Sequence, residues 1–294
     1  MKLSLGGAAG PRPTAAPRGD YEGRGPRRIG RPLVWLATAG VVLCLSEVAL
    51  WAKAEQTRIP TLRTPRLPAL KREVPTPRYL VAHLPLRGNA NDVSGNGNHG
   101  MVIGASLTAD RFGHADCAYR FDGVNDYIEL ANERNFDLPN FTIAMHVKIS
   151  TLPAPPRPMS AGKYTVISKG ENGGNFTVDL TKWEGVSYGS VSYSQRTVSG
   201  IWTGGSTGTI SLNRFHHIAL TGEGAVLRLY LDGQLKLEKT NVGPRLLNDT
   251  PVLIGRSAGA VSPNWFKGII DDVRIYNRAL SAPEIYDLHV AAEQ

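Results

Sequence analysis

Residues 268–285 read GIIDDVRIYNRALSAPEI, which predicts a closing β-strand followed by a helical turn. Ile269, Val273 and Ile275 share one parity, so one side of this strand is apolar. Asp271 has the same parity, and a carboxylate that points toward a core needs a partner. The strand is therefore expected to close the domain and to carry a buried acid.

The end of this stretch predicts a helix start. Ser281 and Glu284 have the spacing of a capping box. Pro283 lies in the first turn, where its missing N–H costs little. The chain is thus expected to end in a short helical turn docked on the domain.

From Tyr79 onward the chain consists of short alternating runs broken by Gly, Asn and Pro, which is typical of an all-β sandwich. The clearest local signal is Asp232-Gly233 between two alternating runs, because a two-residue hairpin turn requires positive φ. Twelve strands are predicted, at residues 80–86, 118–121, 127–130, 141–149, 164–169, 176–180, 189–194, 215–221, 225–231, 234–240, 252–254 and 268–276. Twelve short strands suit an antiparallel jelly roll of two sheets.

The net charge of +8 comes from the N-terminal part of the chain. Residues 1–78 carry 14 Lys and Arg against 5 Asp and Glu, whereas residues 79–294 carry 19 against 20. A basic domain is typical of nucleic-acid binding, but here the globular part is close to neutral. No nucleic-acid partner is therefore expected.

The residues before the domain are predicted to direct export. Residues 1–31 are rich in Gly, Pro, Ala and Arg without an apolar period, which predicts a disordered basic N-terminus. Residues 32–54 form either a signal peptide cleaved near Ala54 or a signal anchor whose N-terminus stays in the cytoplasm. Their apolar run, residues 33–51, is long enough to cross a membrane if uncleaved.

The segment that follows is predicted to be a linker. Residues 55–78 contain five prolines among several basic residues and have no continuous period. Such a segment is an extended, semi-rigid spacer. The domain at residues 79–294 is therefore expected outside the cytoplasm, either tethered to the membrane or secreted.

Six motifs within the domain carry a family resemblance. They are NDVSGNGNHG at 91–100, YRFDGVNDYI at 119–128, FTI at 141–143, HHIA at 216–219, LYLDG at 229–233 and GIIDDVRIY at 268–276. In this order they resemble the laminin G-like jelly roll of the concanavalin A-like lectins and glucanases, over Tyr79 to His289. The resemblance implies the same two-sheet sandwich. It implies much less about function, because this fold serves lectins, adhesion modules, glycosidases and spacers.

The loop at residues 92–100 has a composition that suits calcium, which prefers carboxylate, amide and backbone oxygens. Asp92 supplies charge, and Asn96 and Asn98 alternate with glycines that permit unusual backbone angles. Turn formation alone explains the same residues equally simply. In relatives of this fold a structural cation lies where this loop meets the penultimate strand, so the resemblance implies a Ca²⁺ site that Asp271 completes.

The remaining acidic residues have weaker patterns. Asp122 and Asp126 form a second candidate oxygen cluster for a cation, with turn formation between two strands as the alternative. Glycoside hydrolysis needs two carboxylates at a fixed separation. The nearest acidic group, Glu171, Asp179 and Glu184, lacks the alternate spacing on one strand and is interpreted as solvated loop and edge charges. No enzyme is therefore expected.

A carbohydrate site requires aromatic platforms with polar neighbours. Residues 181–208 mix aromatic residues with Ser, Thr and Gly, and Trp183, Tyr188, Tyr193 and Trp202 are the candidate ligand-binding residues. Packing of the two tryptophans on the sandwich is the alternative.

Together these patterns predict an extracytoplasmic carbohydrate-binding or adhesion module without catalysis, with an extracellular glycan or a surface protein as its partner. The alternative is a protein-interaction module without sugar affinity. A glycoside hydrolase is the third class of function.

Overall fold

The computed structural model describes residues 77–154, 161–170, 174–183, 189–258 and 263–291, except for the side chains of Pro77, Ala161 and Trp183. The described residues all belong to one compact unit, Arg66–Gln294. The predicted disordered N-terminus, the apolar run and nearly all of the linker lie outside them. Within these ranges, no helix has the length and apolar character needed to cross a membrane.

The described strands pair into two antiparallel sheets, which confirms the predicted all-β class. Sheet 1 contains, in spatial order, β13 (Gln234–Lys239), β12 (Val226–Leu231), β11 (Phe215–Glu223), β6 (Phe141–Lys148), β15 (Lys267–Tyr276), β4 (Ala118–Asp122) and β3 (Ser106–Thr108), with β1 (Leu80–Leu84) also paired to β15. Sheet 2 contains β10 (Trp202–Ile210), β9 (Gly189–Arg196), β8 (Phe176–Trp183), β7 (Ala161–Lys169), β14 (Val252–Ile254), β5 (Tyr127–Leu130) and β2 (Gly100–Ile103). Two short 3₁₀ turns, Pro77–Tyr79 and Glu133–Phe136, and one helix, α1 (Ala282–Val290), complete the described elements.

The main core lies between the two sheets. Alternate residues of β6 in sheet 1, such as Ile143 and Met145, point into it, and so do Val178 of β8 and Ile128 of β5 in sheet 2. This period of two is the reason that the strand pattern was readable in the sequence. Burial of both apolar faces stabilises the sandwich.

A second, smaller core lies on the outer side of sheet 1, where α1 covers it. Ile285 and Leu288 of α1 pack with Ala144, Ala219 and Tyr276 of the sheet. The helix has nine residues and is longer than the predicted turn. The sheet face is apolar at these positions because it is covered.

The predicted start of this helix is confirmed. The Glu284 carboxylate accepts hydrogen bonds from Ser281 N–H and Ser281 Oγ, both at 2.8 Å. Arg278 adds a bidentate contact to the same carboxylate, at 3.0 and 2.5 Å. These bonds fix the first turn of α1 to the end of β15.

The predicted common parity of β15 is wrong in its first half, because the main core contains Ile270 and not Ile269, together with Val273 and Ile275. Its pairing with β6 shifts register between Asp271 and Arg274, and Asp272 has a φ of 54°, so the strand contains a β-bulge. Val273 therefore points into the main core, whereas Asp271 lies opposite His146 on the helix-covered side. Asp271 is buried as expected, but on the other face of the sheet.

Strand β10 lies in a region where the sequence pattern does not predict a strand. Its glycines weaken any strand signal, yet they allow close packing. A Cβ on Gly205 would lie 2.4 Å from the Leu237 side chain, and one on Gly204 would lie 2.5 Å from the Tyr193 carbonyl oxygen. The predicted Asp232-Gly233 hairpin is confirmed, with φ of 52° and 73° between β12 and β13.

Candidate functional site

The outer face of sheet 2 carries a grid of small polar side chains over β7 to β10. Core residues alternate with them on β8 and β9, so hydroxyl-bearing residues occupy the opposite side. We call this surface the hydroxyl face and define it as Thr165, Ser168, Thr177, Asp179, Thr181, Ser190, Ser192, Ser194 and Ser206. Cross-strand pairing aligns them in rows, since Thr177 lies opposite Ser194 and Asp179 lies opposite Ser192. Neighbours of this kind have Cβ atoms about 4.5–5.5 Å apart.

Asp179 is the acid at the centre of this face. Its side chain is only 3% exposed, so the interpretation of Asp179 as a solvated edge charge is wrong. Thr165 Oγ1 donates to Asp179 Oδ1 at 2.6 Å, and Lys163 Nζ lies 3.5 Å from Oδ2. Burial raises the pKa of Asp179, and Lys163 and Thr165 offset part of that effect. The carboxylate therefore anchors the hydroxyl face.

The hydroxyl face also has unused hydrogen-bonding capacity. Thr177 Oγ1 is buried and has no hydrogen-bond partner among the described residues. Ser192 and Ser194 are partly exposed. Ser192 and Ser194 are therefore placed to exchange hydrogen bonds with a polar ligand, whereas the Thr177 hydroxyl lies beneath the surface.

The predicted aromatic residues have different positions. Trp202, at the start of β10, is 51% exposed. It lies opposite Arg196 of β9, beside the cross-strand row that contains Ser194. Tyr193 is buried in the main core, so no ring face is free to stack on a ligand, and burial raises the pKa of its hydroxyl to about 12. Trp183 ends β8, but its side chain lies outside the described residues, as does all of Tyr188.

The loop at residues 92–100 is tied to the protein by its own hydrogen bonds. The Asp92 carboxylate accepts from the backbone N–H groups of His83, Ser94 and Asn98, each at 2.9 Å. Burial acts to raise the pKa of Asp92, but these bonds lower it overall. The amides of Asn96 and Asn98 donate to backbone oxygens of β1. The geometry is that of a loop clamped to the first strand.

Asp271 has a cationic partner within the protein. Arg111 Nη1 donates to Asp271 Oδ2 at 2.6 Å, and Nη2 lies 3.3 Å from Asp272 Oδ2. Burial raises the pKa of Asp271 to about 6, although Arg111 acts to lower it. The partner that a buried acid requires here is therefore a guanidinium group.

Asp122 and Asp126 make the contacts of a turn. Asp126 Oδ2 accepts from Asp122 N–H at 2.8 Å, and Asp122 Oδ1 accepts from Val124 N–H at 2.7 Å. Over the part of the chain that the structure describes, no three His, Cys, Asp or Glu side chains form a group suited to a metal ion. Calcium stays a prediction of the sequence.

A serine, a histidine and an aspartate form a hydrogen-bond network near the start of β11. Ser211 Oγ lies 2.9 Å from His216 Nε2, and His216 Nδ1 lies 2.9 Å from Asp232 Oδ2. Nε2 also accepts from Ser211 N–H and from Arg214 Nε, each at 3.2 Å. Three groups, Ser211 N–H, Ser211 Oγ and Arg214 Nε, share His216 Nε2. We therefore interpret this network as a structural link between two hairpin turns, and not as a nucleophile with its general base.

Comparisons with known proteins agree with this architecture. The family model described as the concanavalin A-like lectin/glucanase superfamily, Laminin_G_3, matches residues 122–286. The chain belongs to this superfamily. No curated protein sequence matched the chain.

Solved structures with a similar fold include binding domains of toxins and one domain of an arabinanase. The binding domain of Paraclostridial Mosquitocidal Protein 1 has a TM-score of 0.58 at 19% identity, covering 72% of this chain and 52% of that one. The receptor-binding domain of botulinum neurotoxin C/D mosaic serotype has a TM-score of 0.56 at 16% identity, covering 73% and 51%. Domain 4 of an extracellular arabinanase from Geobacillus stearothermophilus, solved with arabinotriose, has a TM-score of 0.54 at 21% identity, covering 72% and 98%. The chain thus spans about half the length of the toxin domains, and these likenesses show the fold.

Sequence reasoning missed the hydroxyl face of this superfamily member, although its signal was present. In GSVSYSQR at residues 189–196, a serine occurs at every second position between core residues. The segment FTVDLTKW at residues 176–183 has the same alternation with Thr and Asp. A period of two places all these polar groups on one side of a sheet.

Proposed function

We propose that this chain is a carbohydrate-binding module that holds an oligosaccharide on the hydroxyl face, beside Trp202. The observation that carries the proposal is the hydroxyl face itself, with an anchored acid at its centre and an exposed indole at its edge. A saccharide presents hydroxyl groups around an apolar ring face, and both are matched here. The superfamily includes lectins, and the similar arabinanase domain was solved with arabinotriose.

Each part of the face has a role in this proposal. The Trp202 indole stacks on the apolar face of a sugar ring. Ser192 and Ser194, which are partly exposed, exchange hydrogen bonds with sugar hydroxyls. Asp179 accepts a hydrogen bond from Thr165 and so fixes the positions of side chains on β7 and β8 of the hydroxyl face. Binding of this kind needs no catalytic group, so the proposed module is non-catalytic.

The same proposal locates the domain outside the cytoplasm, where the export signal or anchor predicted at residues 32–54 would deliver it. It also retains a structural calcium ion, at the loop of residues 92–100. Asp271 is excluded from that site in our proposal, because Arg111 already neutralises it. An ion at the loop would have to displace hydrogen bonds to Asp92.

A glycan array of plant and microbial polysaccharide fragments tests the function. The unaltered chain should bind at least one oligosaccharide. Trp202→Ala is expected to weaken that binding roughly ten-fold, equivalent to about 1.4 kcal/mol. The matched control is Tyr286→Ala, which removes an exposed aromatic from α1, on the opposite side of the sandwich. No binding to any glycan would instead favour a protein-interaction module.

A further inference from the structure

A cleft of about 410 Å³ opens at one end of the sandwich, between the two sheets. Four separate segments form it: residues 138–141 before and at the start of β6, the end of β9, the β11–β12 turn, and residues 242–247. Its walls are mainly apolar, from Leu138, Phe141, Leu227 and Val242. A cleft of this size with apolar walls and a few polar groups is typical of a small-molecule site.

Two polar side chains interrupt the apolar lining. Gln195 is only 3% exposed, and its side chain lines the cleft. Its position on β9 has the parity of the core residues Val191 and Tyr193, opposite to the hydroxyl face. Its amide supplies a hydrogen-bond donor and an acceptor to the wall of the cleft.

Arg245 is the second polar group. Its guanidinium carbon lies 4.1 Å from the centre of the Phe141 ring, and Nη1 donates to Asn175 Oδ1 at 2.8 Å. Nη2 donates to the Leu138 carbonyl oxygen. None of these partners is a carboxylate, so the positive charge is solvated by dipoles and a ring.

The charge around Arg245 is incompletely balanced. Asp137 is the nearby acid, but its Oδ1 lies 3.2 Å from Nζ of the fully buried Lys169. Two cations therefore share one carboxylate. Burial lowers the pKa of Arg245 to about 10, and Asp137 only partly opposes this. A second anion in the cleft would relieve the cost of burying that charge.

We propose that this cleft binds a small carboxylic acid with an apolar body. The carboxylate would pair with Arg245 and accept from the Gln195 amide, while the apolar body contacts Leu227 and Val242. Charge-assisted hydrogen bonds to a partly desolvated guanidinium are stronger than neutral ones. The site is separate from the hydroxyl face, so either proposal survives failure of the other.

The test compares two probes of the same shape on the full-length chain, benzoate and benzyl alcohol. Calorimetry should show benzoate binding roughly ten-fold tighter than benzyl alcohol, and the Leu227 and Val242 methyl signals should shift on titration. Equal affinity for the two probes, or shifts elsewhere, would overturn the proposal. Absence of benzoate binding would do the same.

Three variants sharpen this test. Arg245→Gln should remove the preference for benzoate. Ala225→Phe, at an exposed position in the β11–β12 turn that lines the cleft, should block both probes without disturbing the core. Arg228→Gln is the matched control, because Arg228 lies on β12 but pairs with Glu238 outside the cleft. Retained binding in Ala225→Phe, or lost binding in Arg228→Gln, contradicts the assignment.

Discussion

The buried ion pair between Arg111 and Asp271 predicts a large loss of stability when Arg111 is replaced by Met. The side chains are 12% and 3% exposed, and their contact is 2.6 Å. Asp272 keeps His83 and Arg274 as partners, whereas Arg111 is the cation that Asp271 contacts among the described residues. Removing one member of such a pair costs about 3–5 kcal/mol. For a domain of this size, the midpoint of thermal unfolding should fall by roughly 6–20 °C.

The pH dependence of this loss identifies its cause. The pKa of Asp271 is raised to about 6 by burial even with Arg111 present, and removal of Arg111 would raise it further. A carboxyl group with a raised pKa stabilises the fold below its unfolded pKa and loses that contribution as pH rises through the folded pKa. The difference between Arg111→Met and wild type should therefore be large at pH 7.5 and smaller at pH 5.

Thermal melts followed by circular dichroism measure this difference. Asp271→Asn in the Arg111→Met background should recover most of the lost midpoint, because no buried charge is then left unpaired. Arg120→Met, an exposed arginine on β4, is the matched control and should change little. A shift below about 1 °C in Arg111→Met, or a shift equal at both pH values, would refute the reasoning.

Three further predictions concern other groups. Calcium bound at the loop of residues 92–100 should raise the melting midpoint, because an ion that binds only the folded state stabilises it; equal midpoints with calcium and with chelator would exclude the ion. Glu284 has a pKa lowered to about 2, mainly by Arg278, so its stabilisation of α1 is present above its unfolded pKa and is lost as pH falls toward 2. In hydrogen-exchange measurements, the protection of α1 should therefore fall at acid pH in the unaltered chain but depend less on pH in Glu284→Gln. The same acid-dependent loss of protection in both proteins would argue against the Glu284–Arg278 ion pair. A fluorophosphonate probe should leave Ser211 unlabelled, since His216 Nε2 is shared by three donors; a mass shift on the Ser211 peptide would show a reactive nucleophile.

The strands that the sequence predicted well are those with strong alternation and a diagnostic turn. The β12–β13 hairpin depends on Asp232 and Gly233, which are neighbours in the chain, and its geometry is set locally. Strand β6 alternates between core residues and residues covered by α1, so its position was evident. Local chemistry is sufficient for elements of this kind.

The features that the sequence did not predict depend on distant residues. The partner of Asp271 is Arg111, which is 160 positions away in a loop. The bulge at Asp272 reverses the parity of β15 without any Gly or Pro to mark it. The cleft beside Arg245 is assembled from four segments, so no single stretch contains it. Pairing and burial of this kind arise only when the sheets pack together.

The most direct test of the proposed function is a map of backbone amide shifts during titration with an oligosaccharide selected on the array. Our account predicts that the largest shifts fall on Ser192 and Ser194, together with the Trp202 indole N–H. Asp179→Leu, which removes the acid that anchors the face, should weaken the response. Shifts confined to sheet 1 or α1, or a full response in Asp179→Leu, would contradict saccharide binding on the hydroxyl face.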